Sequence, residues 1–144
     1  PIASSYDSLK YRNPPAIFVK ASDNTVGIGT NNPAGYKLAV AGSMIAERIK
    51  VKAGGTWPDY VFREGYQLPS LDSVAVYIQE QKHLPGLPSA ETVEKDGFDI
   101  ANMNARLLEK VEQLTLYLIE QRDMIAHLKY ENEQIKAEIS KMKL

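Results

Sequence analysis

Residues 107–144 read LLEKVEQLTLYLIEQRDMIAHLKYENEQIKAEISKMKL. When Val111 is placed at position a of a heptad, the a and d positions follow at alternating steps of three and four residues. Eight of the ten a and d positions from Val111 to Met142 are apolar, and Leu107 precedes them as a further d residue. So narrow and regular a stripe predicts a coiled-coil strand, whereas a helix packed on its own domain shows a broader apolar face. The predicted seam consists of Leu107, Val111, Leu114, Leu118, Gln121, Ile125, Leu128, Asn132, Ile135, Ile139 and Met142.

The positions that flank the seam predict parallel strands. Glu131 and Glu138 occupy position g, and Lys136 and Lys143 occupy position e five residues further along. Opposite charges at this spacing pair between neighbouring chains of a parallel coiled coil. Each exposed pair contributes less than about 1 kcal/mol, so these charges select the partner and its register more than they stabilise the assembly.

The seam itself leaves the number of strands open. Asn132 at position a favours a dimer. Tyr117 and Met124 at position g widen the apolar face, which suits three helices, and Gln121 at position d adds a polar layer that a three-fold axis can satisfy. We expect a homotrimer, with a dimer as the alternative.

Composition divides the chain into three parts. Residues 1–56 are rich in glycine and small residues and predict a β-rich stem, and residues 57–99 carry the single tryptophan and predict a small knob. Residues 100–144 contain neither glycine nor proline and predict one long helix that forms the coiled coil. The predicted fold class is α+β, in an elongated homo-oligomer.

Short apolar stretches that alternate with glycine or polar residues predict the strands of the stem, at 16–20, 26–30, 37–40 and 45–51. About 55 residues of this kind bury too little surface to fold alone. We therefore expect the valine, isoleucine and leucine side chains of three copies to wrap about a common axis. Gly27 and Gly29 belong to this pattern, because the third glycine and the lysine–serine pair of a phosphate-binding loop are absent.

Polar residues mark where the later helices begin. Ser70 and Ser89 are the predicted N-caps of two helices in the knob, and Gly97 is predicted to end the second of them. Asp99 stands where the long helix needs its own N-cap. Together these signals predict three helices after residue 69.

Charge and composition exclude several classes of function. Seventeen basic and eighteen acidic residues give a net charge of −1, which provides no general attraction to nucleic acid. The chain has no cysteine, so disulfides and thiolate metal sites are excluded, and its two histidines offer little for a metal centre. No apolar run approaches the roughly 20 residues that span a bilayer. We expect no cofactor, no metal, no nucleic acid partner and no membrane insertion.

The chain is not expected to be an enzyme. His83 lies in a proline–glycine loop, His127 falls at an exposed c position, and no arrangement of serine, histidine and aspartate includes both histidines. Trp57, Tyr60 and Tyr66 suit an aromatic platform for sugar rings, and this makes them the candidate ligand-binding residues. We expect them instead to form the core of the knob, because aromatic side chains dominate the energetics of small cores.

Five stretches resemble the C-terminal regions of tail-fibre-domain proteins, which are fibre-like surface proteins of Bacteroidetes, their phages and phage-derived injection machines. The stretches are VGIGTNNP (26–33), KLAVAGS (37–43), WPDYVF (57–62), KHLPGLPSA (82–90) and LLEKVEQLTLYLIEQ (107–121). The first two also resemble the repeat that precedes the chaperone domain of endosialidase-type phage tail spikes.

The resemblance implies a homotrimeric fibre that is extracellular, on the cell surface or on a virion or phage-tail-like particle. It implies a structural module that ends the fibre, whose coiled coil brings three chains into register with the upstream fibre segments. A tip that binds a cell-surface receptor or glycan is the alternative function.

Endosialidase-type chaperones also cleave themselves, with a serine and a lysine in a motif that resembles Ser-Asp-x-Arg-Leu-Lys. Residues 5–10 read SYDSLK, so Ser5 and Lys10 are the candidate catalytic pair of a second alternative, a self-cleaving intramolecular chaperone. The aspartate is displaced by one position, a serine replaces the arginine, and the motif precedes the glycine-rich stretches instead of following them. We therefore expect no cleavage.

We predict that the purified chain keeps its intact mass through prolonged incubation, because the Ser5–Lys10 pair is inert. Mass spectrometry of the incubated chain, beside a Ser5→Ala variant, measures this. A fragment that begins at or next to Ser5, and that disappears in the variant, would favour self-processing over a purely structural role.

Overall fold

The computed structural model describes residues 16–52 and 57–142. Over these ranges the chain is mixed α+β, with a three-stranded sheet, a short 3-10 helix and three α-helices, the last of them long. The predicted α+β class is confirmed at the level of these elements. The chain divides after Ile49 into two compact units, each with its own packing.

The first unit contains a small sheet with the strand order β1-β2-β3. β1 (Ile17–Lys20) pairs antiparallel with β2 (Thr25–Ile28), and β3 (Leu38–Val40) pairs parallel with β2. Three of the four stretches predicted as strands are thereby confirmed. Their β-branched residues suit the extended backbone, because such side chains pack well on a pleated surface.

The fourth stretch, residues 45–51, forms no strand, and that prediction is wrong for the single chain. Every residue of the stretch is exposed, and the Ile45 side chain is fully so. The backbone hydrogen bonds of the described residues include none from this stretch. A period-2 pattern supplies a strand's two faces, but a strand also needs a neighbouring backbone with which to pair.

The pairing register places six aliphatic side chains on one face of the sheet, because residues in register point to the same side. This aliphatic face consists of Ile17, Val19, Val26, Ile28, Leu38 and Val40. The opposite face carries Phe18, Lys20, Thr25, Gly27 and Ala39. The two faces therefore differ sharply in chemistry.

The loop between β2 and β3 covers the opposite face. A Cβ atom on Gly27 would lie 2.2 Å from the carbonyl oxygen of Thr30, so the loop backbone passes directly over β2 where a side chain would be. Pro33 of the loop and Thr25 of β2 are both buried. The first unit thus covers the part of this face around Thr25 and Gly27 with its own chain.

We predict that Gly27→Ala destabilises the first unit by about 1–3 kcal/mol, because overpacking against the Thr30 carbonyl forces the loop away from the sheet. Amide hydrogen exchange measures the effect: protection of the three strands should fall, while protection of the helices in the second unit serves as the internal control. Unchanged strand protection would contradict the close approach of the loop to Gly27.

The second unit contains the 3-10 helix (Pro58–Phe62), α1 (Leu71–Gln81), α2 (Ala90–Asp96) and α3 (Ile100–Met142). Pro58 and Val61 of the 3-10 helix are buried, and this helix packs against α3. The 43 residues of α3 extend about 64 Å at 1.5 Å per residue. None of the helices in the described ranges has both the length and the apolar character that crossing a bilayer requires.

The predicted helix caps are confirmed. The side-chain oxygens of Ser70 and Ser89 each accept a hydrogen bond at 3.2 Å from the backbone N–H three residues further on. Asp99 does the same for α3 at 2.7 Å, and Gly97 ends α2 with a φ of 70°. Each cap satisfies one N–H group that the first helical turn leaves without a partner.

Candidate functional site

Three hydrogen bonds between distant sequence positions hold the knob to α3, two of them between side chains and one from a side chain to a backbone carbonyl. Tyr60 donates its hydroxyl to Glu109 Oε2 at 2.9 Å, and the Gln113 amide donates to the Tyr66 hydroxyl at 2.6 Å. Tyr117 donates to the carbonyl oxygen of Pro69 at 2.6 Å. The three positions on α3 are four residues apart, so they form one stripe along the helix.

The loop after α1 contacts further residues of α3, nearer to the start of the helix. The Arg106 guanidinium donates to the carbonyl oxygen of Gly86. A Cβ atom on Gly86 would lie 3.7 Å from Lys110 Nζ, so this loop also contacts the helix. Lys110 in turn donates to Gln113 Oε1 at 3.0 Å, and this bond links the two parts of the stripe.

The covered stripe lies opposite the predicted seam. Around a heptad the positions follow in the order a, e, b, f, c, g, d, at about 100° per residue. Arg106 and Gln113 occupy position c, Glu109 occupies f, Tyr117 occupies g, and the buried Glu112 occupies b. The knob therefore covers one continuous arc, b-f-c-g, which we call the polar arc, and leaves the a and d positions, the aliphatic arc, open.

Every predicted seam residue is exposed in the chain, and all of them lie along one side of α3. The usual pattern of burial is reversed here: the aliphatic Val111 is 56% exposed, whereas the adjacent, charged Glu112 is only 7% exposed. Charged side chains are among those least often buried, and aliphatic ones among those most often buried. We name this arrangement the inverted helix. Contact of the seam with a second chain remains a prediction.

Burial of Glu112 has an electrostatic cost. Its Oε2 atom is buried without a hydrogen-bond partner among the described residues. Burial raises the pKa of this carboxyl, and the nearby carboxylates of Asp59 and Glu109 raise it further. Burial and the hydrogen bond to Glu109 also raise the pKa of Tyr60, so its hydroxyl stays protonated and continues to donate.

The aromatic core expected for the knob forms only in part, because Tyr60 and Tyr66 are half-buried and Trp57 is not buried. The rings of Tyr60 and Tyr66 lie 6.2 Å apart at 46°, and both hydroxyls bond to α3. Trp57 is about half exposed at the start of the 3-10 helix. The tyrosines thus hold the knob to the helix, and Trp57 remains the most exposed of the three candidates.

The remaining candidates do not converge on one site. His83 lies edge-on to the Tyr77 ring at 5.6 Å, whereas His127 lies 3.3 Å from Glu131 Oε1 on α3. The described residues contain no group of three or more histidine, cysteine, aspartate or glutamate side chains placed to hold a metal ion. Ser5 and Lys10 lie outside the described residues.

The sequence signals did not reveal the polar stripe that receives the knob. In the predicted heptad Glu109 and Gln113 occupy ordinary outward-facing positions, and nothing in their spacing distinguishes them from solvated polar residues. The available hint is the pair of tyrosines in the knob, because a buried tyrosine hydroxyl needs a hydrogen-bond partner.

The chain matches no family model, no curated protein and no solved structure. Its resemblance to tail-fibre-domain proteins therefore stays a prediction. The inverted helix is the feature from which a function can be inferred.

We predict that Glu112→Gln raises the unfolding midpoint at neutral pH. A raised pKa means that the folded chain binds the proton more readily than the unfolded chain, so ionised Glu112 lowers stability at neutral pH. That cost disappears as the pH falls below the ordinary value of 4.5. Chemical denaturation at neutral pH and near pH 4 measures the gain, which should shrink at the lower pH.

Glu133→Gln is the matched control, because Glu133 also occupies position b but is exposed. Its midpoint should stay at the wild-type value at both pH values. Equal gains from the two substitutions would indicate that net charge, and not burial of Glu112, determines the effect.

Proposed function

We propose that this chain is a structural assembly module of a homotrimeric fibre, in which the α3 helices of three copies form a parallel coiled coil that sets the register of the chains. The inverted helix carries the proposal. The knob occupies the polar arc of α3, and the aliphatic arc is left for other helices of the same kind.

Burial of the seam would supply stabilisation that the single chain lacks. Nine of the predicted seam residues are apolar, and their exposed fractions range from 42% for Ile139 to 78% for Met142. Burying the rest of these side chains contributes on the order of 10 kcal/mol per copy, as an upper estimate. Identical a/d stripes bury one another in all copies at once, since each seam side chain fits between side chains of the neighbouring helices.

The second half of α3 supports the same conclusion. Every residue from Leu118 to Met142 is exposed, and the hydrogen bonds found there stay within the helix, as when the Asn132 amide donates to the Leu128 carbonyl at 2.8 Å. Helices in proteins owe most of their stability to packing of an apolar face. The long segment from Leu118 to Met142, which the rest of the described chain does not cover, would gain this stability from partner helices along its seam.

Charges beside the seam favour parallel strands. Glu131 at position g and Lys136 at position e are both exposed, and neither contacts the knob. Within the chain, Glu131 pairs only with His127 among the described contacts, a weak pair at the surface. Both side chains are therefore available for a partner helix. The second predicted pair, Glu138 with Lys143, includes a residue outside the described range.

The number of strands is the finer part of the proposal. Gln121 and Asn132 are exposed on the seam side, where they would form two polar layers. Met124 at position g is exposed and continues to widen the apolar face, whereas the Tyr117 hydroxyl is bound by Pro69 of the knob. Three helices remain the favoured number, and a dimer is the alternative that a measured mass would identify.

The setting of the fibre rests on the resemblance of the motifs. We place the module on an extracellular, cell-surface or virion-like particle, joined to upstream fibre segments. Receptor or glycan contact by the knob is a second candidate function. It is favoured by Trp57 and Phe62, which are about half exposed at either end of the 3-10 helix while Tyr60 and Tyr66 are bound to α3.

We predict that Leu128→Ala dissociates the oligomer or strongly lowers its melting temperature. Truncating a packed leucine costs about 2–5 kcal/mol at each site, and the substitution falls in every copy at once. The native mass in solution and a thermal melt measure the two effects. His127→Ala is the matched control, because the neighbouring position c points away from the seam and its exposed pair with Glu131 contributes little.

The outcomes separate the alternatives. A trimeric wild type that is weakened by Leu128→Ala alone supports the proposal in full, and a dimeric one supports the coiled coil with two strands. Equal effects from the two substitutions would show that the heptad register is wrong. A monomeric wild type would exclude the coiled coil.

A further inference from the structure

In the first unit, as on α3, a polar side chain is buried while aliphatic side chains of the same element or sheet are exposed. Thr25 is 6% exposed, and its Oγ1 atom has no hydrogen-bond partner among the described residues. Val19, on the aliphatic face of the same sheet, is 67% exposed. The unit therefore buries a hydroxyl and leaves a β-branched hydrocarbon in water.

The arrangement follows from the position of the loop between β2 and β3. Contact between its backbone at Thr30 and the strand at Gly27 commits the loop to the opposite face of the sheet. No other described element of the first unit is left to cover the aliphatic face. None of its six side chains carries a charge or a hydrogen-bonding group, so the face suits only an apolar occupant.

The area of the face fits assembly of several copies. Four of the six side chains are between 42% and 67% exposed, and Val26 and Val40 are less so. Together they present roughly 300 Å² of apolar surface, the size at which a patch on a single chain becomes significant. Three such faces give roughly 900 Å², close to the 1,000 Å² or so at which specific interfaces begin. The face would thus be marginal for two free chains but adequate for three that are already held together.

We infer that the aliphatic face of the sheet is a second self-association surface, occupied by the same face of the other copies of this chain. The inference rests on the proposed function in one respect, since the α3 seam would raise the local concentration of the sheets to about the millimolar range. Register would then be fixed at two places in each chain, by strands in the first unit and by a helix in the second.

Two single-cysteine variants of the full chain test this, and the chain suits the experiment because it contains no cysteine of its own. Val19→Cys lies on the aliphatic face, and Lys20→Cys is the adjacent control on the opposite face. We expect a bulky maleimide to label the cysteine at position 19 at least about tenfold more slowly, because a shielded thiol reacts slowly. Mild oxidation with a small thiol oxidant should join copies by a disulfide through position 19 and not through position 20.

The native mass, measured on the same samples, separates failure of this inference from failure of the proposed function. An oligomeric mass with equal labelling of the two cysteines would overturn the sheet surface and leave the helical seam intact. Slow labelling at position 19 without cross-links between copies would show that the chain covers the face itself, and would also overturn the inference. A monomeric mass would overturn both proposals.

Discussion

Tyr60 and Tyr66 reach from the knob to Glu109 and Gln113, one helical turn apart on α3, and this pair of hydrogen bonds decides which side of the helix the chain covers. A tyrosine hydroxyl that leaves water needs a polar partner, and the carboxylate and amide of the polar arc provide one. The seam side offers only hydrocarbon over most of its length. The knob therefore settles on the polar arc, and the aliphatic arc stays open.

Covering the polar arc costs free energy at Glu112. Glu112 is buried beside the contact with one oxygen lacking a partner, close to two further carboxylates that raise its pKa. Apolar packing of Pro58 and Val61 in the 3-10 helix offsets part of this cost. Polar contacts of this kind add little net stability, but they fix orientation, because a misplaced knob would leave several buried groups without partners.

In both units the chain covers the less aliphatic side of an element and leaves the more aliphatic side exposed. In the first unit the loop after β2 covers the side of the sheet that carries Thr25 and Gly27, and in the second the knob covers the polar side of α3. Each unit leaves its more aliphatic side in water. A chain that folded for stability alone would bury these sides, and this is the basis of our proposal that other copies of the chain cover them.

Local signals in the sequence predicted much of this architecture. The periods of two and 3.5 residues predicted three strands and the long helix. The helix caps at Ser70, Ser89 and Asp99 were also predictable, because capping depends on residues only three positions apart. The heptad also predicted an apolar stripe on α3, and the chain leaves this stripe exposed, while its use as a seam stays a prediction. The tertiary structure alone decided that residues 45–51 have no strand beside them, that Glu112 is buried and that Tyr117 bonds to Pro69. These facts depend on contacts between residues far apart in the chain, and periodicity can show which face of an element is apolar but not which face its own chain will cover.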